Sequence, residues 1–593
     1  MKKGSPALVI LLIVLPVLIT DITRVRSWSN VINADGYGYY AYLPCVFIYH
    51  HMDYQKVMDA EHMLRPGMDK AELEYPFLPG KLNLTKHVDK YFVGEAIVLT
   101  PFFLTAYFAS YLTGFELSGY SALFQEAVVL AALFYLFIGL LFLRKLMLQF
   151  KVPDAVIYFA LTLVVYATNL FYYATTEPSM SHVYSFALMT MFLYYAKCAI
   201  DLPRLKHLLF AVLLFSLLCI IRPTNVLAIL LVPFLAGSFE RMKLFVRSSF
   251  NLKNILILSG ATLLVISMQL IKWKIETGYW FIWGYGSEGF DFAKPHIADL
   301  IFSYRKGWFV YTPLMLFILM VTAVLFLAKR MYWSLTSILL FFMISTYVFA
   351  SWWEWWYGGS YGMRVSIDFY PLYALLFAIA LTETKNKVGK SILVIVPVLC
   401  LMVSIIQTVQ YNKFILSYDQ MNKKRYWDVF LKTDDKYGWV YDDPASKLEL
   451  YDKPKYHSGA GVLSSHEHSG AQALQITPAS GMVQLCAFKA TDIPTDTNVY
   501  MFVNIWGNIQ SLTNDAVLVT RSVASNGAIH YNNIRSLADE MAGDNAWERI
   551  RYINPLLPVI PTEDSVKVYV RCSTGAIQLD DVKIEFGKLR EGN

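Results

Sequence analysis

Phe92-Val93-Gly94-Glu95-Ala96-Ile97-Val98-Leu99-Thr100-Pro101-Phe102-Phe103-Leu104-Thr105-Ala106-Tyr107-Phe108-Ala109-Ser110-Tyr111-Leu112-Thr113 is one of twelve apolar runs in the chain. Whether it crosses a bilayer sets the side on which every later loop lies. The other runs fall near 7–23, 122–143, 154–172, 181–199, 206–221, 224–238, 254–273, 308–328, 331–350, 364–382 and 389–410. Apolar runs of roughly 17 to 25 residues read as membrane-spanning helices. Composition agrees: the 593 residues are 56% hydrophobic and 16% charged, with a mean hydropathy of +0.42. A soluble protein carries about a quarter charged residues. The expectation is a polytopic α-helical membrane protein.

Lys and Arg in short loops mark the cytoplasmic side. With the amino terminus cytoplasmic and 92–113 not crossing, Lys2, Lys3, Arg144, Lys145, Lys151, Lys197, Arg204 and Lys206 fall inside. So do Arg241, Lys243, Arg247, Lys253, Lys329, Arg330, Lys385, Lys387 and Lys390. If 92–113 crosses, every later loop flips and nearly all this charge lies outside. The pattern predicts about eleven spans, with 92–113 a re-entrant or surface-lying helix in a long first external loop, 24–121. Gly94, Glu95 and Pro101 suit an interrupted helix, which is tolerated where protein or a cavity covers it. The alternative is that this run crosses and a short later one does not, most naturally in 206–238, broken at Arg222-Pro223. The first run follows Met1-Lys2-Lys3 like a secretory signal. It lacks a small-x-small cleavage site and meets Asp21-Ile22-Thr23-Arg24 directly, so an uncleaved span is expected.

The protein is thus expected in the cytoplasmic (inner) membrane as a multi-pass protein with a cytoplasmic amino terminus. The external face then holds the first loop, the turns 175–182 and 221–225, the loop 274–307, the stretch Trp352 to Arg364, and everything after 411. The net charge of +6 is small and lies between spans, which orients the chain and leaves no nucleic-acid footprint. Six cysteines with no CxxC pair exclude a zinc or redox motif of the usual spacing.

From about Tyr411 the composition changes. A linker over 411–455, rich in Lys and Asp, leads into 456–593. There, 498–504, 516–520, 565–571 and 576–586 alternate polar and apolar residues with β-branched and aromatic content. Period-two alternation between Gly, Asn and Pro turns predicts an extracytoplasmic antiparallel β-sandwich. Its last stretch, Gln578-Leu579-Asp580-Asp581-Val582-Lys583-Ile584-Glu585, is similar to the final strand of jelly-roll carbohydrate-binding modules. A structural or partner-docking sandwich is an equal alternative. Cys486 and Cys572 both lie in this domain, and sequence leaves open whether they pair.

Ionisable residues near spans are costly and so are candidates for function. Asp35, in Asn33-Ala34-Asp35-Gly36-Tyr37-Gly38-Tyr39-Tyr40, is the first; the plain alternative is a solvated helix-capping acid. Glu177 precedes Pro178, with His182 five residues on. Capping and a hydrogen-bonded intramembrane histidine are their ordinary readings. Arg222, Arg305, Lys306 and Arg364 lie at or near external span ends, where guanidinium suits a phosphate headgroup and snorkelling explains any single one. Trp352 to Arg364 places six aromatics and three glycines in thirteen positions, around Glu354. An aromatic belt needs neither the glycines nor the acid. Rings beside flexible backbone suit a sugar face or the first isoprenes of a lipid.

Together these stretches resemble the GT-C glycosyltransferases, the polyprenyl-phosphate-sugar-dependent transferases that include protein mannosyltransferases and aminoarabinose transferases. The likeness covers roughly 5–410. It rests on Asp35 after the first span, Lys90-Tyr91-Phe92-Val93-Gly94-Glu95 leading into a Pro-containing helix, and Glu177…His182. It also rests on Arg222-Pro223-Thr224 and the loop with Trp353, Glu354, Tyr361 and Arg364. That superfamily has juxtamembrane helices in its first external loop. Asp35 stands alone before Gly36, where the family has an Asp-Asp, Asp-Glu or Glu-x-Asp setting. A single carboxylate is a poor divalent-metal site, so no cofactor is expected, with a divalent metal left open.

The resemblance implies inverting transfer of a sugar from a polyprenyl-phosphate donor to a glycan, lipid or protein acceptor in the cell envelope. Asp35 would be the base and Glu177 would orient the acceptor. Arg222, Arg305 or Arg364 would hold the phosphate, with His182, Lys90, Lys306, Trp353, Glu354 and Tyr361 in the substrate site. Two rival classes stay open: a transporter or flippase of lipid-linked saccharides, and a non-catalytic glycan-binding assembly protein. A transporter predicts internal repeats and midplane charges; no clear repeat is visible, and the charges cluster at one face.

Overall fold

The computed structural model describes residues 6–23, 31–52, 54–64, 77–78, 87–286, 288–418, 421–434, 437, 448–457, 473–493, 499–509, 516–537, 547–556, 561, 564–573 and 575–589. Lys2, Lys3, Arg24 and Asn498, and positions 419–420, 435–436 and 438–447 of the expected linker, lie outside the described residues. The chain forms two compact units. One comprises Met1–Thr23, Val31–Met58 and Glu74–Gly438; the other comprises Arg24–Asn30, Asp59–Leu73 and Trp439–Asn593.

The first unit is mainly helical, and each apolar run of the sequence forms one helix or, at 154–172, 224–238, 308–328 and 364–382, two consecutive ones. Among the described residues seven helices are long and apolar enough to cross a membrane: Gly94–Thr113, Ala122–Gln149, His182–Asp201, Leu252–Thr277, Tyr332–Ala350, Arg364–Glu383 and Lys387–Asn412. Val9–Thr20, Asp154–Tyr166, Leu205–Ile221, Pro223–Ala236 and Pro313–Ala328 are shorter apolar helices. Burial is uneven. Within its apolar window Arg364–Glu383 is 94% buried and Leu252–Thr277 only 17%, so the first is a central element and the second a peripheral one.

Gly94–Thr113 and His182–Asp201 both pack on Ala122–Gln149. Phe103 lies 5.0 Å from Phe124, and the Tyr135 hydroxyl donates to the Val98 carbonyl at 3.1 Å, both in the first half of the 28-residue helix. Tyr184 meets Tyr135 at 5.5 Å with its hydroxyl 3.5 Å from the Val128 carbonyl, and Tyr194 meets Phe142 at 5.3 Å, so His182–Asp201 runs beside both halves. A helix of that length spans about 42 Å at 1.5 Å per residue, more than the roughly 30 Å of bilayer hydrocarbon. Gly94 is the pivot: an added Cβ would lie 2.4 Å from the backbone of Ile220 and Ile221. Only glycine lets this helix start against the end of Leu205–Ile221.

The second unit contains two antiparallel sheets. In one, the order is Met482–Lys489, Ser565–Arg571, Val517–Val523, Ile529–Ser536. In the other it is Leu448–His457, Ile577–Leu589, Val499–Ile509, Trp547–Pro555, with Leu474–Ile476 also pairing to Ile577–Leu589. The inner positions of both sheets form one core: Val566, Val568 and Val570 are buried while Lys567 and Tyr569 between them are not. Phe488 and Phe586 meet edge to face across it at 4.9 Å. Cys486 and Cys572 are both buried.

Candidate functional site

An open cavity of ≈ 830 Å³, mouth included, lies in the helical unit. Small-molecule sites run from about 300 to 1,000 Å³. Its charged and histidine lining comes from six separate parts of the chain: Asp35, Lys90, His182, Arg222, Glu288, and Glu354 with Arg364.

Asp35 stands in the first turn of the helix Ala34–Pro44, where a carboxylate complements the helix dipole. The chain enters that helix through Asn33 in extended conformation and Ala34 at φ 47°. A left-handed alanine costs roughly 1–2 kcal/mol, and such strain concentrates at functional sites. Gly36 follows because the helix lies on the turn after Glu177: an added Cβ would sit 2.2 Å from the Ser179 hydroxyl oxygen and 2.5 Å from its carbonyl. Asp35 Oδ1 accepts from the Tyr91 hydroxyl at 2.6 Å, and Oδ2 pairs with Arg364 at 2.8 Å. Burial pushes the Asp35 carboxyl up, but Arg364, the Tyr91 hydrogen bond and Lys90 together outweigh burial and hold it below the usual range.

Lys90 and Tyr91 are held from behind by a buried polar cluster. Lys272 donates to the Asp89 carbonyl at 2.7 Å and pairs with Glu276 at 2.9 Å, and the Tyr54 hydroxyl also donates to Glu276. The Tyr42 hydroxyl donates to the Tyr91 carbonyl at 2.5 Å, and the Tyr91 amide donates to Asp89 Oδ1 at 2.8 Å. So fixed, Lys90 reaches Glu288 at 3.0 Å.

Arg222 is the first residue after Leu205–Ile221, where Pro223 ends the helix. Its Nη1 lies 3.3 Å from Asp368 Oδ2 and 3.0 Å from His182 Nδ1, and His182 Nδ1 is 3.1 Å from Asp368 Oδ1. Asp368 is sealed, with 1% of its side chain exposed. Arg364 is delivered by a loop that turns through Tyr357 (φ 59°), Gly358 (φ 68°) and Gly362 (φ 60°). A Cβ built on Gly358 would be 3.8 Å from Glu354 and 3.9 Å from Arg364, so both side chains converge beside that glycine.

Aromatic rings complete the wall: Tyr39, Tyr91, Trp283, Tyr285, Phe290, Trp352 and Tyr357. Trp352 meets Phe290 at 4.9 Å and Tyr285 at 5.6 Å, and Phe290 and Trp352 form a β-bridge. The arrangement offers a carboxylate to take a proton, cations to hold an anion, and ring faces for an apolar or sugar surface.

Of the residues singled out by sequence, Asp35, Lys90, His182, Arg222, Glu354 and Arg364 line this cavity. The others do not. Glu177 accepts from Tyr172 at 3.0 Å on the turn behind Gly36 and acts electrostatically on Arg364. The Arg305 guanidinium stacks 3.7 Å from the Trp356 ring. Lys306 is buried and donates to the carbonyls of Ser360 and Tyr418, holding the loop rather than facing the cavity. Trp353 is half exposed. Tyr361 is fully buried, with Tyr411 at 5.1 Å and Tyr172 at 5.4 Å.

Sequence reasoning passed over Tyr39, Tyr91, Glu288 and Asp368. The signal for Glu288 was present: Trp283-Gly284-Tyr285-Gly286-Ser287-Glu288-Gly289-Phe290 repeats the composition of 352–364, with aromatics, glycines and an embedded acid. Asp368 is an acid within an apolar run, which is itself a marker. Among the described residues no three His, Cys, Asp or Glu side chains are grouped as metal ligands.

No family model and no curated protein matches the chain. A cryo-EM structure of the arabinosyltransferase EmbB from Mycobacterium smegmatis aligns with it at 11% identity and a TM-score of 0.28. The alignment covers 85% of this chain and 61% of that one. A likeness this weak carries no argument about fold or activity.

Proposed function

We propose that the protein is an integral-membrane glycosyltransferase that moves a sugar from a polyprenyl-phosphate donor to an acceptor on the extracytoplasmic face. The observation that carries this reading is the convergence of Asp35, Lys90, Arg222 and Arg364 on one ring-walled cavity. In the resting site Arg364 is neutralised by Asp35. The donor phosphate takes Arg364, with Arg222 and Lys90 completing the anion site, and Asp35 is released as the base. The acceptor oxygen or nitrogen attacks the anomeric carbon and loses its proton to Asp35. The bond from that carbon to the phosphate oxygen breaks, and its electron pair leaves on the phosphate. The leaving group is already a stable anion, so one carboxylate suffices where glycoside hydrolysis uses two. The configuration inverts.

The reading carries eleven spans with it, Gly94–Thr113 lying on the external side. A Glu116→Cys variant in sealed right-side-out vesicles should react with a membrane-impermeant maleimide, and Lys151→Cys should not; the reverse pattern sinks this topology.

The activity is tested by incubating the protein in nanodiscs with polyprenyl-phosphate sugars and candidate acceptors. Release of polyprenyl phosphate should accompany acceptor glycosylation in wild type. Equal release by Asp35→Asn defeats the base assignment. Movement of intact donor across proteoliposomes, with no release, favours a transporter.

A further inference from the structure

The helix Phe239–Ser249 plays no part in the cavity and has an unusual surface. It sits between the apolar helices ending at Ala236 and starting at Leu252. Both boundaries are fixed. Gly237 turns at φ 75°, the Ser238 hydroxyl accepts from the Arg241 amide, and Asn251 caps the next helix through the Asn254 amide. The helix is therefore an ordered element, and its two faces can be compared.

Met242, Phe245 and Ser249, at i, i+3 and i+7, form the inward face, with Phe245 and Ser249 buried. Arg241 is tied to Asp201 at 2.5 Å. Phe239, Lys243, Val246 and Arg247, at i, i+4, i+7 and i+8, share another face, and all four are exposed. Leu252, 73% exposed, and Lys253 continue this pairing of apolar and basic side chains into the next helix. Glu240 is the one acid within the helix. Exposed apolar side chains beside cations, on a short helix joined at both ends to apolar helices, match a lipid surface that is itself anionic. A protein partner would have no need of that continuity with the apolar bundle.

We propose that Phe239–Ser249 lies in the headgroup layer and binds anionic phospholipid, with Phe239 and Val246 among the acyl chains and Lys243 and Arg247 on the phosphates. This holds whatever reaction the cavity performs. The long cationic side chains keep their charge at the headgroups while their stems lie along apolar surface. Membranes rich in anionic lipid would then anchor this side of the protein more firmly than zwitterionic ones.

Amide hydrogen exchange of 239–250 tests this on the full chain in nanodiscs of phosphatidylcholine alone or mixed with phosphatidylglycerol. Wild type should exchange more slowly in the mixed discs, by about fivefold for each cation engaged. Lys243→Gln/Arg247→Gln should exchange alike in both, and Lys243→Arg/Arg247→Lys should keep the difference. The strand Val499–Ile509 is the internal reference for intact folding. Wild-type exchange that is the same in both discs overturns the proposal. So does a phosphatidylglycerol effect that survives Lys243→Gln/Arg247→Gln.

Discussion

Two arginines that line the cavity are each paired with an aspartate, and the two pairs are built differently. Arg364 and Asp35 meet through one contact of 2.8 Å, with 14% and 16% of their side chains exposed. Arg222 and Asp368 meet at 3.3 Å, but Asp368 is sealed and also engages His182. The first pair can be opened from the cavity without stranding a buried charge. The second cannot, because Asp368 has no route to water. The same two residue types thus make a reactive pair in one place and a rigid support in the other, and burial decides which.

The largest effect separating them is on stability. Asp368→Ala leaves Arg222 without its buried partner and should cost about 3–5 kcal/mol, read as a lowered unfolding temperature in detergent. Asp35→Asn should shift that temperature far less. Equal losses would erase the distinction.

A smaller effect concerns pH. Asp35's carboxyl is held below its ordinary value chiefly against burial, by Arg364 and its neighbours. Stabilisation from the pair is therefore complete above the unfolded-state value and is lost as pH falls through the folded one. In Arg364→Gln the main opposing charge is gone and burial prevails, so Asp35 should protonate at higher pH. Any transfer activity that remains should show its acid limb moved upward. An unmoved limb would mean that Arg364 does not set the protonation of Asp35.

The smallest effect is at Arg305, which sequence grouped with the other external cations. Its stacking on Trp356 is worth about 0.5–1 kcal/mol, and it lies outside the cavity lining. Arg305→Gln should leave transfer rates within experimental scatter. A loss as large as that of Arg364→Gln would place Arg305 in the anion site after all.

The helical framework was legible because an apolar run long enough to cross a bilayer has few other ways to satisfy its backbone. The strands were legible from period-two alternation, as at Val566, Val568 and Val570. Side-chain direction was not. Trp352 lines the cavity while Trp353, its neighbour, is half exposed. Lys306 resembled a phosphate ligand in sequence, yet it turns inward to the carbonyls of Ser360 and Tyr418, both far from it along the chain. Tyr361 resembled a ring for substrate, yet it packs among other tyrosines. For Tyr361 the direction follows from the left-handed turns at Tyr357 and Gly358 just before it, and composition alone does not encode such a direction. Glu288 is an acid in a long external loop rich in aromatics and glycines, and it is the ion pair with Lys90 that draws it to the cavity.

The most direct test of the central claim measures two quantities on one variant. Asp35→Asn in nanodiscs is assayed for polyprenyl-phosphate binding and for sugar transfer. If Asp35 is the base and Arg364 changes partner from Asp35 to the donor phosphate, transfer should fall by about 10²–10⁴-fold while binding is kept or tightened. Transfer at the wild-type rate, or binding lost together with transfer, would contradict the account.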